Sequence, residues 1–428
     1  MSFSGAASSF LAAPPGAGLL DRYLEVRNAT HSLCAPLSAD DQMVQSTPEA
    51  SPVKWHQAHT TWFFETFILL PYLPHYQTFH PAFRFLFNSY YKQLGAHPLR
   101  TIRSTFSRPG LEQVKEYRCY VDHYLEQLLA ADILEPAISA LVELGLNHEQ
   151  QHQELMLTDI KHAFWSNPLQ PGYLNRPLEE PTGQVDELRW REFDAGLYEI
   201  GHSGNGFSFD NEGPRHKQYL EAFRLASRSV TNGEYLEFIE DGGYTRPELW
   251  LSDGWDTVQA GQWQAPLYWE RGESGWTVFT MGGVRTLRTA EPVCHVSYYE
   301  ADAFARWAGA RLPREGEWEV AARNVPLKGN FMEERRLHPL PAPRQDHGSQ
   351  MFGDVWEWTA SPYSPYPDYR PAEGVLGEYN GKFMCNQLVL RGGSCATPRS
   401  HIRASYRNFF APQMRWQFSG IRLANGLV

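Results

Sequence analysis

The residues with the clearest chemical potential are His148-Glu149-Gln150-Gln151-His152. On an α-helix, positions i and i+4 lie on one face about 6 Å apart along the axis, so His148 and His152 can direct two imidazoles at one metal ion. Leu141, Leu144 and Leu155 share that stripe, which turns both rings toward a protein interior rather than water. A third imidazole is offered upstream, in Trp55-His56-Gln57-Ala58-His59-Thr60-Thr61-Trp62-Phe63. There His59 shares a helical face with Trp55, Trp62 and Phe63, while His56 lies about 60° around the axis. Three neutral imidazoles with open positions suit Fe(II), Zn or Cu by ligand softness. The set predicts a metal site of His59, His148 and His152 without choosing the metal.

The pentapeptide also fits the H-E-x-x-H pattern of zinc hydrolases, in which the Glu serves as general base. The extended form of that pattern needs Gly and His further on, where this chain has Leu155 and Thr158. A downstream carboxylate ligand keeps the simpler hydrolase reading open. The segment from Phe83 to Tyr91 reads as another aromatic helix, with Phe83 and Phe87 in the core. Tyr90 and Tyr91 then project about 100° apart, one able to reach a cavity and the other to support it. A phenol beside a metal can donate a proton, which makes both tyrosines candidate catalytic groups.

These residues need elements to hold them. Apolar residues recur at helical spacing over 19–33, 55–70, 82–95, 111–131 and 138–165. Breakers separate the runs: Pro48, Pro52, Pro71, Pro74, Pro98, Pro109-Gly110 and Pro168 to Pro171. Long helices with intervening loops predict an antiparallel bundle over 17–185, whose interior is a usual place for metal ligands. Beyond Pro181-Thr-Gly the composition changes: 11 of the 14 tryptophans lie past position 185. With many glycines and short β-branched or aromatic runs, 186–428 reads as an α+β domain with long loops. Its helices are expected at 298–309 and 315–323.

Residues 1–16 form an Ala/Gly/Pro/Ser-rich tail with no Lys or Arg and no long apolar run, which predicts neither a signal peptide nor a membrane span. At 428 residues two domains are the natural reading. The net charge of −11 opposes a nucleic-acid surface, which needs clustered Lys and Arg. The five scattered cysteines form no CxxC pair, so a reducing cytoplasm is the expected home.

Taken together, WHQAHTTWFFE at 55–65, FRFLFNSYY at 83–91 and HEQQHQELML at 148–157 resemble the sulfoxide synthases of ergothioneine biosynthesis. The second half resembles formylglycine-generating enzymes, through PVCHVSYYEADAFARWAGARLPREGEWEVAAR at 292–323, GDVWEWT at 353–359, LRGGSCAT at 390–397 and FSGIRLA at 418–424. The resemblance covers nearly the whole chain, and the pairing of the two modules makes it specific. It implies a DinB-like four-helix bundle followed by a formylglycine-generating-enzyme-like, C-type-lectin-like α+β domain.

It further implies that His59, His148 and His152 hold Fe(II), and that O₂ is used to join hercynine (N-α-trimethylhistidine) to a cysteine-type thiol as a sulfoxide. Gln151 matches the residue that contacts the substrate imidazole. Tyr406 to Ala411 matches a pocket-forming segment, which nominates Asn408, Phe409 and Phe410. Family members using γ-glutamylcysteine carry an acidic residue where Phe410 aligns, so free cysteine is the expected donor. Arg103 and Arg100 are candidates for the thiol substrate's carboxylate, since guanidinium binds carboxylates bidentately. Phe409, Phe410 and Trp416 would hold the trimethylammonium group by cation–π attraction. A tyrosine from the second domain, Tyr363 or Tyr366, is an alternative to the Tyr90–Tyr91 pair.

Three other readings are set against this one. A copper-dependent formylglycine-generating enzyme needs a cysteine pair, but only Cys395 follows Arg391-Gly-Gly-Ser394. A zinc hydrolase would use Glu149 as base. A non-catalytic binding module would leave three interior histidines without a purpose.

Overall fold

The computed structural model describes residues 18–130, 134–178, 185–204, 206–344 and 350–427. The expected tail over 1–16 lies outside the described residues. Four long helices make up the first half: α1 (Leu19–Cys34), α2 (Val53–Phe64), α3 (Leu111–Leu129) and α4 (Pro136–Ser166). α1 and α2 each pack against both α3 and α4. Pro136 opens α4 at a position where its missing N–H costs nothing. α2 passes into a wide turn at Glu65–Leu69 and ends just beyond Pro71.

The approach of α2 to α4 depends on one glycine. A Cβ at Gly145 would lie 2.5 Å from Cε1 of Phe64 and 3.1 Å from Cε1 of Phe63. Without it, α4 lies close against α2 one turn before His148. On another side of α4, Glu149 binds Arg27 Nη1 at 2.8 Å, Arg118 Nη2 at 2.6 Å and Thr30 Oγ1 at 2.6 Å. This fully buried cluster ties α1, α3 and α4 together.

The expected helix over 82–95 is not formed as such. Only Phe83–Leu86 is helical, followed by a separate turn at Lys92–Leu94. The reason is local: Asn88 Oδ1 accepts from the Tyr91 backbone N–H at 3.1 Å, and its Nδ2 donates to the Tyr91 carbonyl at 2.9 Å. Such an asparagine offers the backbone a competing partner and breaks the helical ladder. Tyr90 and Tyr91 therefore sit on a loop, not on a helix.

The second half is built from short strands and helices. Asn408–Phe410, Leu388–Arg391, Trp356–Pro362 and Ser419–Gly420 form a sheet in that order, antiparallel except for the last pair. Trp190–Phe193 and Ala424–Gly426 flank Phe223–Ala226 in a second sheet. Helices α7 (Tyr298–Trp307) and α8 (Glu315–Ala322) occupy the expected positions. Two more, α5 (Asn232–Glu240) and α6 (Ser252–Gly261), were not read from the sequence. α5 begins at a capping box, Thr231 with Glu234, that repeats the Ser297–Glu300 box of α7. At the core, Arg422 pairs with the fully buried Glu357, which also accepts from Trp318 Nε1 at 2.6 Å.

α4 is the spine shared by both halves. Its Glu154 accepts from Trp356 Nε1 at 2.8 Å, Ser394 Oγ at 2.5 Å and Thr397 Oγ1 at 2.6 Å. Asp159 accepts from Trp416 Nε1 at 3.0 Å, and Lys161 Nζ lies 2.7 Å from His295 Nε2. Among the described residues, no helix is long and apolar enough to cross a membrane.

Candidate metal centre and substrate cavity

α2 contributes His59 and α4 contributes His148 and His152, and one ring nitrogen from each lies within 4.8 Å of the others. Bonds near 2.1 Å to one ion require separations of about 4 Å or less, so sub-ångström side-chain movements close the set. Trp55 and Trp62 stack on the two faces of His59, at centroid distances of 4.5 and 5.5 Å.

Two of the rings, those of His59 and His152, are oriented by what their other nitrogen does. His59 Nδ1 donates to the Phe87 carbonyl at 2.6 Å, which leaves Nε2 as the lone-pair nitrogen. His56, which the sequence placed to one side, joins the site. Its Nε2 faces the carboxylate of Asp159 at 3.1 Å, and its Nδ1 lies 2.7 Å from His152 Nδ1. Because the carboxylate only accepts, His56 Nε2 carries the proton and its Nδ1 accepts from His152. His152 Nε2 is then free to ligate. Such carboxylate–histidine chains fix the tautomer of a metal-binding imidazole.

Burial keeps the three imidazoles neutral. It pushes His148 down to about 3, with a smaller push from His56. Burial, then the neighbouring His148, holds His59 and His152 well below the usual histidine range. His59 Nε2 and both ring nitrogens of His148 are buried with no hydrogen-bond partner among the described residues. Unpaired buried nitrogens are costly, and a metal ion would satisfy them. The donor set therefore fits a divalent transition metal.

Glu149 is not placed to act as a base beside that metal. Burial alone would raise its pKa, but Arg118 and Arg27 hold it down at about 2. Its oxygens are occupied on a different side of α4 from the imidazoles. This removes the residue on which the hydrolase reading depends.

A cavity of about 330 Å³ opens beside His148 and His152, walled by both halves of the chain. Gln151, Asn408, Phe409, Phe410, Trp416, Arg103, Arg100 and Tyr90 all line it. Tyr91 is fully buried behind the wall, packed on Trp62 and Phe67 at 5.7 and 5.2 Å. Phe410 meets Trp416 edge-on at 5.5 Å. Arg103 is 3% exposed, lies 3.4 Å over the Trp55 ring and donates to Ser51 Oγ at 2.8 Å and Ser89 Oγ at 2.9 Å. Burial, then the nearby Arg100, depresses its pKa, the mark of a buried cation short of anionic partners. Arg100 is exposed and, among the described residues, its side chain reaches the Glu49 carbonyl alone, at 3.3 Å.

Tyr363 and Tyr366 are elsewhere. Tyr363 stacks at 4.0 Å behind Phe409, and Tyr366 packs under Arg407. Two other second-domain tyrosines line the cavity: Tyr406, and Tyr379, whose ring is 5.6 Å from His148 and whose hydroxyl donates to Gln151 Oε1. Tyr379 lies on irregular chain with no periodicity to flag it. His56 lies three residues before His59 on α2, but its partners His152 and Asp159 are on α4, a pairing that spacing within α2 does not reveal.

Residues 192–350 and 342–427 match the sulfatase-modifying factor enzyme 1-like domain. The formylglycine-generating enzyme of Streptomyces coelicolor is 29% identical, over 60% of this chain and 93% of that one. The hercynine oxygenase of Mycolicibacterium thermoresistibile is 31% identical, and the match spans 97% of this chain and 96% of that protein. The chain belongs to the hercynine oxygenase family. The hercynine oxygenase of Mycobacterium tuberculosis is 36% identical over 67% of this chain and 74% of its own length. The hercynine oxygenase match over 97% of this chain takes in the helices that carry the three histidines.

Proposed function

We propose that the chain is a sulfoxide synthase of ergothioneine biosynthesis, working in the cytoplasm. Its DinB-like bundle would hold Fe(II) through His59, His148 and His152, and it would join hercynine to cysteine using O₂. The observation that carries this reading is the convergence of three neutral, partly unpaired imidazoles, two of which, His148 and His152, line a cavity that the second domain also walls. Bound Fe(II) would supply O₂ activation and would acidify a coordinated thiol.

The reaction balances without an external reductant. A C–H bond of hercynine and the S–H bond of the thiol break, and a C–S bond forms. One oxygen atom ends on sulfur, and the other leaves as water with the two hydrogens.

The chain's own residues divide the remaining work. Gln151 offers its amide to the hercynine imidazole. Phe409, Phe410 and Trp416 present ring faces and edges to the trimethylammonium group, which cannot donate a hydrogen bond. Arg103, held by two serine hydroxyls and, among the described residues, by no carboxylate, is suited to the cysteine carboxylate. Arg100 stands at the mouth. Phe410, where an acidic side chain would favour a γ-glutamyl amine, supports the smaller donor. Tyr90 faces the cavity and would hold the proton delivered during oxygen transfer.

The test is aerobic turnover of Fe(II)-loaded protein with hercynine plus either cysteine or γ-glutamylcysteine, with products read by mass spectrometry. The expected product is hercynyl-cysteine sulfoxide, lost in His148→Ala. Absence of any C–S product with either thiol would overturn the reading.

A further inference from the structure

A chain of hydrogen bonds crosses the boundary between the halves and ends at the cavity, and its direction is fixed at one end. Asn147 Nδ2 donates to the Glu143 carbonyl at 2.9 Å. A backbone carbonyl only accepts, so the Asn147 amide cannot be reversed without losing that bond. Its Oδ1 therefore faces His401 Nδ1, at 3.0 Å, and that nitrogen must carry the proton. His401 is 1% exposed, which favours the neutral ring and makes Nε2 an acceptor. Tyr406 OH, 2.9 Å away, donates to it. The Tyr406 oxygen is then left to accept from Gln151 Nε2 at 2.7 Å. Gln151 Oε1 consequently points into the cavity, where Tyr379 OH donates to it.

We propose that Asn147, His401 and Tyr406 are positioning residues that lock the Gln151 amide with its oxygen toward the cavity. The cavity thereby selects an azole substrate whose ring N–H points at Gln151 while its other nitrogen faces the histidine site. This deepens, and rests on, the reading of hercynine as substrate. An amide free to flip would present an N–H instead and would lose the distinction between the two imidazole tautomers. The amide that faces the cavity is thus oriented through Tyr406 and His401 of the second domain, and the chain is anchored three side chains away at Asn147, back on α4.

Two measurements test this. In the first, ¹⁵N histidine spectra of the metal-free protein at neutral pH, assigned through His401→Asn, report the tautomer without any ligand. A neutral His401 protonated on Nδ1 is expected. An Nε2-protonated ring or an imidazolium overturns the proposal.

In the second, hercynine and cysteine are titrated separately into Fe(II)-loaded wild type and Tyr406→Phe without O₂. Loss of one oriented hydrogen bond is expected to weaken hercynine about tenfold and cysteine by less than about twofold. Equal weakening of both, or of neither, overturns the positioning role. If the wild type itself fails to bind hercynine, the functional reading falls, while the spectra still judge the orientation of the chain.

Discussion

His56 Nδ1 lies 2.7 Å from His152 Nδ1, in a pair of rings closed off on the far side by Asp159. The contact uses Nδ1 of His152 and leaves its Nε2 open, so it orients the ring without occupying that nitrogen. The Asp159 carboxylate also takes the Ser51 N–H at 2.8 Å and the Trp416 indole N–H at 3.0 Å. One carboxylate thus links a metal-site histidine to an aromatic wall of the substrate cavity.

Replacing His56 with Leu should leave the helices intact and weaken metal binding about 10- to 100-fold, the usual cost of removing a partner behind a ligand. Competition against a chelator measures this. An unchanged metal affinity would show that His152 needs no orientation from His56.

Glu149→Gln separates two roles for one residue. Substitution leaves Arg27 and Arg118 facing a neutral amide in the bundle interior, and a loss of about 3–5 kcal/mol is expected in denaturant unfolding. A hydrolytic base in the same position would predict lost chemistry with stability unchanged.

Arg103→Met keeps much of the packing against Trp55 but removes the charge. The expected result is a rise of about 10- to 100-fold in KM for the thiol, from the loss of a charge-assisted hydrogen bond of about 1.5–3 kcal/mol. Hercynine affinity should stay nearly constant. Equal weakening of both substrates would assign Arg103 to packing alone.

Tyr90→Phe should change the ratio of sulfoxide to other oxidised thiol products, read by mass spectrometry, because Tyr90 lines the cavity. Tyr91→Phe should change it less, since Tyr91 lies behind the wall against Trp62. Identical product ratios in both variants and wild type would remove the proton-donor role from this pair.

The legible parts of this chain were those governed by local periodicity. α1, α2, α3 and α4 follow from apolar spacing and proline boundaries, and the i, i+4 histidine pair follows from helix geometry. Residues 82–95 carried the same apolar signal, but Asn88 supplied a local hydrogen-bonding alternative that spacing does not reveal. α5 escaped because its apolar stripe is short, although the Thr231–Glu234 capping box marked its start. Tyr379, His401 and Tyr406 share no spacing with α4. They reach Gln151 and Asn147 only through the tertiary arrangement, which no one-dimensional pattern encodes. Tyr363 and Tyr366 had the right residue type in the right region, and packing behind Phe409 and Arg407 placed them out of reach.

The division of labour around α4 has an evolutionary consequence. The histidines and their orienting partners lie on helices clamped by Gly145 and the Glu149 cluster, where substitutions are expensive. Much of the cavity wall comes from the stretch between Tyr379 and Trp416, in which two short strands alternate with irregular chain, anchored to α4 by side-chain bonds. Mutations can accumulate there without disturbing the ligand set. Under the proposed function, a lineage or a directed-evolution campaign would change the accepted thiol or azole by rewriting that stretch while inheriting His59, His148 and His152 unaltered.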